Sequence, residues 1–453
     1  MTKSSFKRFV EAVSTLDSRK DSHLNDYFVQ TDTYKLILGE GRNVELVVGL
    51  KGSGKTSLYN ILTSQSTKDK IGTVSIGISP SDAHWAHQIE NANILQFAES
   101  AKMGLALYIL RHLQSPIDEI NDKIRIKNEL FRPVLTLLDR LKGLQGISIF
   151  GCGINLKVPD EIKKQEFKAI GKNESAPAIK LLKSIVDSGY SINIVTDDAD
   201  RIFGGESLNK HLLGGFILGC SDLKNEIDGI TIVHIVKSHV KELLDSIEEF
   251  TNRSTRLTTY ISWSDAELVE LLKKRLKYSK LQWNDVFSIS KEDFVEVVSP
   301  RLRNGPRDLL RYVDLILQRK VFGEKIGKAD FDDVADDYRE LAYQQMQVVY
   351  GDVFSNVGEF VRELFKGSKT LDLSNGQTEY AKMRLESRPN ASIYSQRGFS
   401  SFQRALISIT DSGCVDINDG NRWVQPYRRE YFEAISKKRV AKLRLNYAIE
   451  IVK

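Results

Sequence analysis

Cysteine is scarce in this 453-residue chain: Cys152, Cys220 and Cys414 lie far apart, with no Cys-x-x-Cys pair and no even-numbered set. That excludes a disulfide framework and points to a reducing compartment, each thiol serving as a small buried hydrophobe. No run approaches the about 18 consecutive apolar residues of a membrane span, so no membrane partner is expected. Met1-Thr2-Lys3-Ser4-Ser5 leads into charged amphipathic sequence instead of an apolar signal segment, and the expected location is cytoplasmic. Internal repeats and low-complexity tracts are absent, and neither sign of charge dominates, 65 Lys and Arg facing 60 Asp and Glu for a net +5. So mild an excess permits nucleic-acid contact without requiring it.

What the chain does have is length and apolar content. At 453 residues and 41% hydrophobic it can bury a sizeable core and divide into two to four domains. Its most informative stretch is Gly49-Leu50-Lys51-Gly52-Ser53-Gly54-Lys55-Thr56, directly after the apolar run Val44 to Val48. Gly49, Gly52 and Gly54 let the backbone curl around an anion in dihedrals that a side chain would penalise, so that the loop amides point inward. Lys55 supplies a compact positive charge for β- and γ-phosphates, Thr56 a hydroxyl for Mg²⁺, and the helix expected to open through Ser57 adds its positive dipole end. The stretch therefore reads as a phosphate-binding P-loop, with Gly49, Gly52, Ser53, Gly54, Lys55, Thr56 and Ser57 as nucleotide contacts.

Residues 5 to 38 show helical spacing, with Phe6, Phe9, Val10, Val13 and Leu16 on one face, and Tyr27 and Phe28 are expected in the core. Strands are expected at Thr73 to Ile78, Ile192 to Val195, Ile230 to Val236 and Leu257 to Ile261, alternating with helices. That alternation implies a parallel sheet covered on both faces. Residues 88 to 188 form a mostly helical insertion, with a glycine-rich hairpin expected near residues 146 to 156. From Asp265 to about residue 345 the pattern is helical. The resulting organisation is an N-terminal helical segment (1–38), a P-loop core (39–264) with the insertion, a helical lid (265–345) and a C-terminal domain (346–453).

Hydrolysis needs a carboxylate that organises a metal and a group that orients water, both at the end of a neighbouring strand. Ile192-Asn193-Ile194-Val195-Thr196-Asp197-Asp198 meets that demand, with Asp197 for the Mg²⁺ hydration shell and Asp198 for the attacking water. At the end of the next strand, Lys237 or Ser238 would sense a γ-phosphate, whereas His234 inside the strand reads as a core histidine. Further along, Gly305-Pro306 punctuates the chain and Arg307 opens a helix with a planar, permanently charged fork.

These residues carry a resemblance. Leu302-Arg303-Asn304-Gly305-Pro306-Arg307 resembles the sensor 2 segment of AAA+ ATPases of the origin-recognition kind and the Gly-Pro segment of STAND ATPases. Val195-Thr196-Asp197-Asp198-Ala199-Asp200-Arg201 is similar to the Walker B stretch of KAP-type P-loop ATPases. The likeness spans about residues 35 to 320 and implies an additional-strand P-loop ATPase using ATP and Mg²⁺, in which Arg307 touches the γ-phosphate and reports it to the lid. No Glu directly follows the aspartates, so activation of water falls to Asp198 and turnover is expected to be slow. An arginine finger from a neighbouring subunit would come from Arg253 or Arg256, with Arg201 behind them, and Arg253 is the first choice. Neither an ABC signature nor an Asn-Lys-x-Asp guanine-reading motif is present, which favours ATP over GTP.

In the C-terminal domain, helical spacing at about 353 to 366 and 399 to 410, followed by an Asn418-Asp419-Gly420-Asn421 hairpin, suggests a winged helix. From Asn421 to Lys453 nine Lys and Arg face three Glu, with Trp423, Tyr427, Tyr431 and Tyr447 interleaved, a composition suited equally to nucleic-acid backbone and to a protein interface. The expected fold class is α/β: a P-loop NTPase parallel sheet with helices on both faces, a helical lid and a winged-helix-like C-terminal domain. The expected function is a Mg-dependent ATP-hydrolysing switch that couples nucleotide state to homo-oligomerisation or an effector protein, as in bacterial anti-phage defence. The alternative is an ATP-gated DNA-binding loader in which hydrolysis is incidental.

Overall fold

The computed structural model describes residues 1–38, 44–64, 73–78, 94–112, 172–187, 189–197, 210–245, 247–253, 257–350, 357–365, 368–373, 406, 409–410, 414–420, 422–436 and 440–447. The expected hairpin at 146–156 and most of the expected helix at 399–410 lie outside the described residues. Five strands form one sheet in the order β2-β3-β4-β1-β5, where β1 is Val44–Gly49, β2 Thr73–Ile78, β3 Ser191–Thr196, β4 Ile230–Lys237 and β5 Leu257–Tyr260. Strand β2 runs parallel to β3 from Thr73↔Ser191 to Ile78↔Thr196, and β3 parallel to β4 from Ile192↔Ile230 to Thr196↔His234. Strand β4 therefore lies between β3 and the strand that feeds the glycine loop, which is the additional-strand arrangement. In β4, Ile232, Val233, His234, Ile235 and Val236 are all buried. Successive residues of a strand point to opposite faces, so burial of every one means that both faces are covered. The fold is an α/β P-loop NTPase with a C-terminal domain.

The chain divides into two compact units: Met1–Glu40, Val48–Leu58 and Thr259–Lys453 form the first, Gly41–Val47 and Tyr59–Thr258 the second. Within the second, the Ile94–His112 and Lys210–Glu226 helices lie backbone to backbone. A Cβ on Gly219 would stand 2.2 Å from the Ala98 carbonyl and one on Gly215 2.8 Å from that of Ile94, so no larger residue allows this approach.

The first unit is helical where it meets the chain's N-terminus. The Lys3–Ser14 helix begins on Thr2, whose hydroxyl accepts from Ser5 N–H. Helical structure does not run on to residue 38: it breaks and resumes at Leu24–Tyr27 and Asp32–Leu38. The Asp17 carboxylate accepts from Arg19 N–H and that of Asp21 from His23 N–H, local bonds that compete with the helix. Tyr27 is buried, and the Arg275 guanidinium lies 4.4 Å above its ring while donating to the Ala12 carbonyl at 3.1 Å. Burial lowers the Arg275 pKa to about 10. Residues 265–350 form successive helices, including Asp265–Tyr278, opened by a capping box between Ser264 and Glu267, and Pro306–Arg319.

The C-terminal part of this unit joins the Val357–Leu364 helix, the Arg429–Ser436 helix and an antiparallel sheet in the order β6-β9-β7-β8. Here β6 is Thr370–Asp372, β7 Val415–Asn418, β8 Trp423–Val424 and β9 Lys442–Leu445. The expected hairpin is present: Ile417 pairs with Val424 and Asn418 with Trp423, and Gly420 takes φ +101° in the turn. Asp416 is buried in β7 directly opposite Arg444 of β9, which donates to it at 2.6 Å and lies 4.6 Å over the Trp423 ring. No helix among the described residues is long and apolar enough to cross a membrane.

Candidate functional site

Strand β1 ends at Gly49, where the loop turns so tightly that a Cβ would come within 2.6 Å of Ser53 Oγ. Gly52 and Gly54 adopt φ +91° and +101°, the left-handed region that only glycine enters at little cost. Ser53 Oγ closes the turn on the Leu50 carbonyl at 2.8 Å. Lys55, 8% exposed, starts the Lys55–Ser64 helix and donates Nζ to the Gly49 and Leu50 carbonyls at 3.0 and 2.8 Å. Thr56 and Ser57 are half-buried in the first helical turn.

Trp263, three residues beyond β5, packs on this loop. Its indole Nε1 donates to the Ser53 carbonyl at 2.8 Å, and its ring lies 3.7 Å from where a Gly54 Cβ would stand. Its backbone N–H donates to the Tyr427 carbonyl at 2.9 Å. The turn before the Pro306–Arg319 helix is held by Asp308, whose buried carboxylate accepts from Arg303 N–H at 3.2 Å and Asn304 N–H at 2.8 Å. Gly305 at φ +72° and Pro306 at the first helical position then set Arg307 against the glycine loop, its Cβ 3.2 Å from where a Gly52 Cβ would be. Burial and the neighbouring Arg311 lower the Arg307 pKa, against Asp308 and Asp17, which raise it. The first unit thus brings Gly49, Gly52, Ser53, Gly54, Lys55, Thr56, Ser57 and Arg307 into one cluster. Trp263 and Asp308 join them there without any sequence signal, apart from the placing of Asp308 in the first turn after Gly-Pro.

The remaining candidates belong to the second unit or fall outside the described residues. Asp197 follows β3 with its side chain buried, and its N–H donates to the Ile78 carbonyl at 3.2 Å. Beside it, Thr196 Oγ1 lies 3.0 Å from His234 Nδ1, and the imidazole packs edge-on against Phe216, so His234 is a hydrogen-bonded core residue. Lys237 closes β4 half-buried, and Ser238 opens the Ser238–Asp245 helix. Arg253 ends the Glu248–Arg253 helix, with its side chain outside the described set. Asp198, Asp200, Arg201 and Arg256 also lie outside the described residues.

The basic C-terminal residues mostly have acidic neighbours. Arg422 pairs with Glu430, Arg429 with Glu433, Lys442 with Asp372, Arg444 with Asp416, and Arg428 with both oxygens of Asp265 at 2.8 and 2.9 Å. Lys437, Lys438, Arg439 and Lys453 lie outside the described residues.

The donor set fits a nucleotide phosphate: left-handed glycines, a buried ammonium resting on exchangeable carbonyls, a helix N-terminus and a nearby guanidinium. Among the described residues no group of three His, Cys, Asp or Glu could hold a metal alone. Mg²⁺ at a nucleotide needs no such cage, because it is held by phosphate oxygens, water and one or two side chains; within the first unit the Thr56 hydroxyl stands in the first turn of the helix after the glycine loop.

No protein-family model and no curated protein matches the sequence. Among solved structures the chain is similar to the Aeropyrum pernix ORC2 protein in its ADPNP–ADP complexes, at 10% identity and TM-score 0.38, over 95% of this chain and 92% of that one. It is also similar to the A. pernix ORC1 protein in complex with DNA, at 12% identity and TM-score 0.34, over 95% and 96%. A third similar structure is Cdc6p from Pyrobaculum aerophilum, at 12% identity and TM-score 0.29, over 95% and 97%. Overlap this slight transfers no role, so the roles of these residues have to come from their own geometry.

Proposed function

We propose that this protein is a Mg-dependent, ATP-binding switch of the AAA+ initiator or loader type, whose C-terminal module engages DNA according to nucleotide state. The supporting observation is the cluster of left-handed Gly52 and Gly54, buried Lys55 and lid-borne Arg307. In this scheme the loop amides and Lys55 hold the β- and γ-phosphates, and Arg307, whose side-chain stem lies beside Gly52, turns its guanidinium onto the γ-phosphate. Mg²⁺, when bound, neutralises phosphate charge. Thr56 and Asp197 supply oxygens toward it, Asp198 orients water and takes its proton, and Lys237 senses the γ-phosphate. Arg253 of a neighbouring subunit acts as the finger in a homo-oligomer. Hydrolysis to ADP and phosphate resets the switch, slowly in the absence of a Glu beside Asp198.

DNA is the ligand assigned to the C-terminal module because Arg422, Arg429 and Lys442 stay 61%, 72% and 49% exposed despite their carboxylate partners. Surface ion pairs are worth at most about 1 kcal/mol, so closely spaced backbone phosphates can replace these carboxylates. The same pairing favours a second reading, in which the module docks an effector protein, as an anti-phage defence switch would. Fluorescence anisotropy on a labelled duplex at several salt concentrations, with and without Mg-ATP, separates the two. A steep salt slope that appears only with ATP supports the loader, and no duplex affinity at low salt contradicts it.

A further inference from the structure

The phosphate loop is fastened to the C-terminal module at two points, both inside the first unit. Leu50, within the loop, is 1% exposed, and its side chain belongs to the apolar core built by Phe360, Val361, Ile417, Tyr431 and Leu443. The same residue's carbonyl accepts from Ser53 N–H at 3.2 Å, Ser53 Oγ at 2.8 Å and Lys55 Nζ at 2.8 Å. One residue therefore has its side chain in the C-terminal core and its oxygen on the ammonium that would meet a phosphate. The second fastening is Trp263, with its indole on the Ser53 carbonyl and its backbone amide on the Tyr427 carbonyl. Tyr427 is itself buried, its hydroxyl pushed up to about 12 by that burial and donating to the Ser299 carbonyl at 3.3 Å. The Tyr427 side chain also lies 3.1 Å from where a Gly305 Cβ would stand, in the turn that carries Arg307.

We propose that Trp263 is a positioning residue of the phosphate loop and that, together with Leu50, it couples occupancy of the loop to the C-terminal module. This rests on the nucleotide-binding reading above and adds the route by which the bound phosphate is felt. An ammonium that turns toward a phosphate leaves the Gly49 and Leu50 carbonyls, which then seek other donors, and the loop cannot readjust without moving Leu50 in its core. Trp263 limits that movement by holding Ser53. Coupling of this kind is reciprocal, so whatever binds the C-terminal module changes nucleotide affinity by the same factor.

The chain carries its own reporters. Its four tryptophans are Trp85, Trp263, Trp283 and Trp423. Trp263 sits on the loop, Trp423 lies in the C-terminal sheet beneath Arg444, and Trp283 donates its indole to Ile289 in the lid. The test is a Mg-ADP titration of the full chain labelled with ¹⁵N-tryptophan, with the indole resonances assigned by single Trp→Phe variants and binding measured in parallel by calorimetry. The Trp263 and Trp423 resonances are expected to shift along one saturation curve. Trp263→Phe should weaken binding by about tenfold and diminish the Trp423 shift even at saturation. Leu50→Ala should bind Mg-ADP yet leave Trp423 still; should that variant fail to fold, the Trp263→Phe result decides. A merely structural Trp263 would lower thermal stability in the variant but leave the Trp423 response at saturation intact, and that result overturns the coupling. Binding heat with Trp423 unmoved in the wild-type chain overturns it as well. Absence of binding heat instead removes the nucleotide reading and this inference together.

Discussion

Two buried charges in the first unit are held in opposite ways. Lys55 rests on the carbonyls of Gly49 and Leu50, oxygens of the loop that it serves. Asp416 faces Arg444 across a β-ladder and accepts from its Nε and Nη2 at 3.2 and 2.6 Å, with Asn446 as a further donor. A cation that donates to loop carbonyls can turn those hydrogen bonds toward an anion entering the loop, whereas a carboxylate matched to a guanidinium across a ladder is fixed. The difference separates a part built to exchange partners from a part built to hold a module together.

The largest expected effect breaks the exchangeable side. Lys55→Ala should weaken Mg-ATP binding about 10³-fold, since two charge-assisted phosphate contacts are lost. Its circular dichroism should match wild type, and unchanged affinity would contradict the comparison.

On the fixed side the effect falls on stability and depends on pH. Burial raises the Asp416 carboxyl from 3.8 to about 6, partly opposed by Arg444 and Asn446. The folded chain therefore binds this proton more tightly than the unfolded chain does. The contribution is full below about pH 4 and is lost as pH rises through about 6. Asp416→Asn, which cannot ionise, should gain on wild type by about 3 kcal/mol between those values in urea unfolding followed by Trp423 emission. Parallel pH curves for the two proteins would rule this out.

Asp308→Ala tests whether the turn before the Pro306–Arg319 helix is fixed like Asp416. Two buried amides, those of Arg303 and Asn304, would lose their acceptor, for a cost of about 2 kcal/mol and a weaker grip on nucleotide through Arg307. Equal thermal stability and equal affinity would show that the turn holds without the carboxylate. The smallest effect belongs to the exposed Arg422–Glu430 pair. Arg422→Ala should change stability by less than about 0.5 kcal/mol while lowering the salt slope of DNA binding by about one. An unchanged slope would place Arg422 off the duplex.

Legibility in the sequence follows the range of the interactions. The glycine loop was readable because its backbone demands left-handed dihedrals, which only a few residue types satisfy. Strand β4 was readable because a strand covered on both faces needs a short, nearly continuous apolar run, here Ile232 to Val236 interrupted only by His234. The break in the N-terminal helix was missed because Asp17 and Asp21 bond locally with their own backbone, a competition that hydrophobic spacing does not register. Contacts made by folding were out of reach: Trp263 meets Ser53 across 210 residues, and Leu50, one of the loop's variable positions, contributes to a core built mainly from residues beyond 345. Composition also overstated the free basic charge of the C-terminal region, since the partners Asp265 and Asp372 come from segments before Asn421.

Calorimetric titration of the purified full-length chain with Mg-ATP tests the central claim most directly. One saturable site per chain, abolished in Lys55→Ala and weakened in Arg307→Ala, is the predicted result. No binding heat in the wild-type chain, or equal binding by all three proteins, would contradict it.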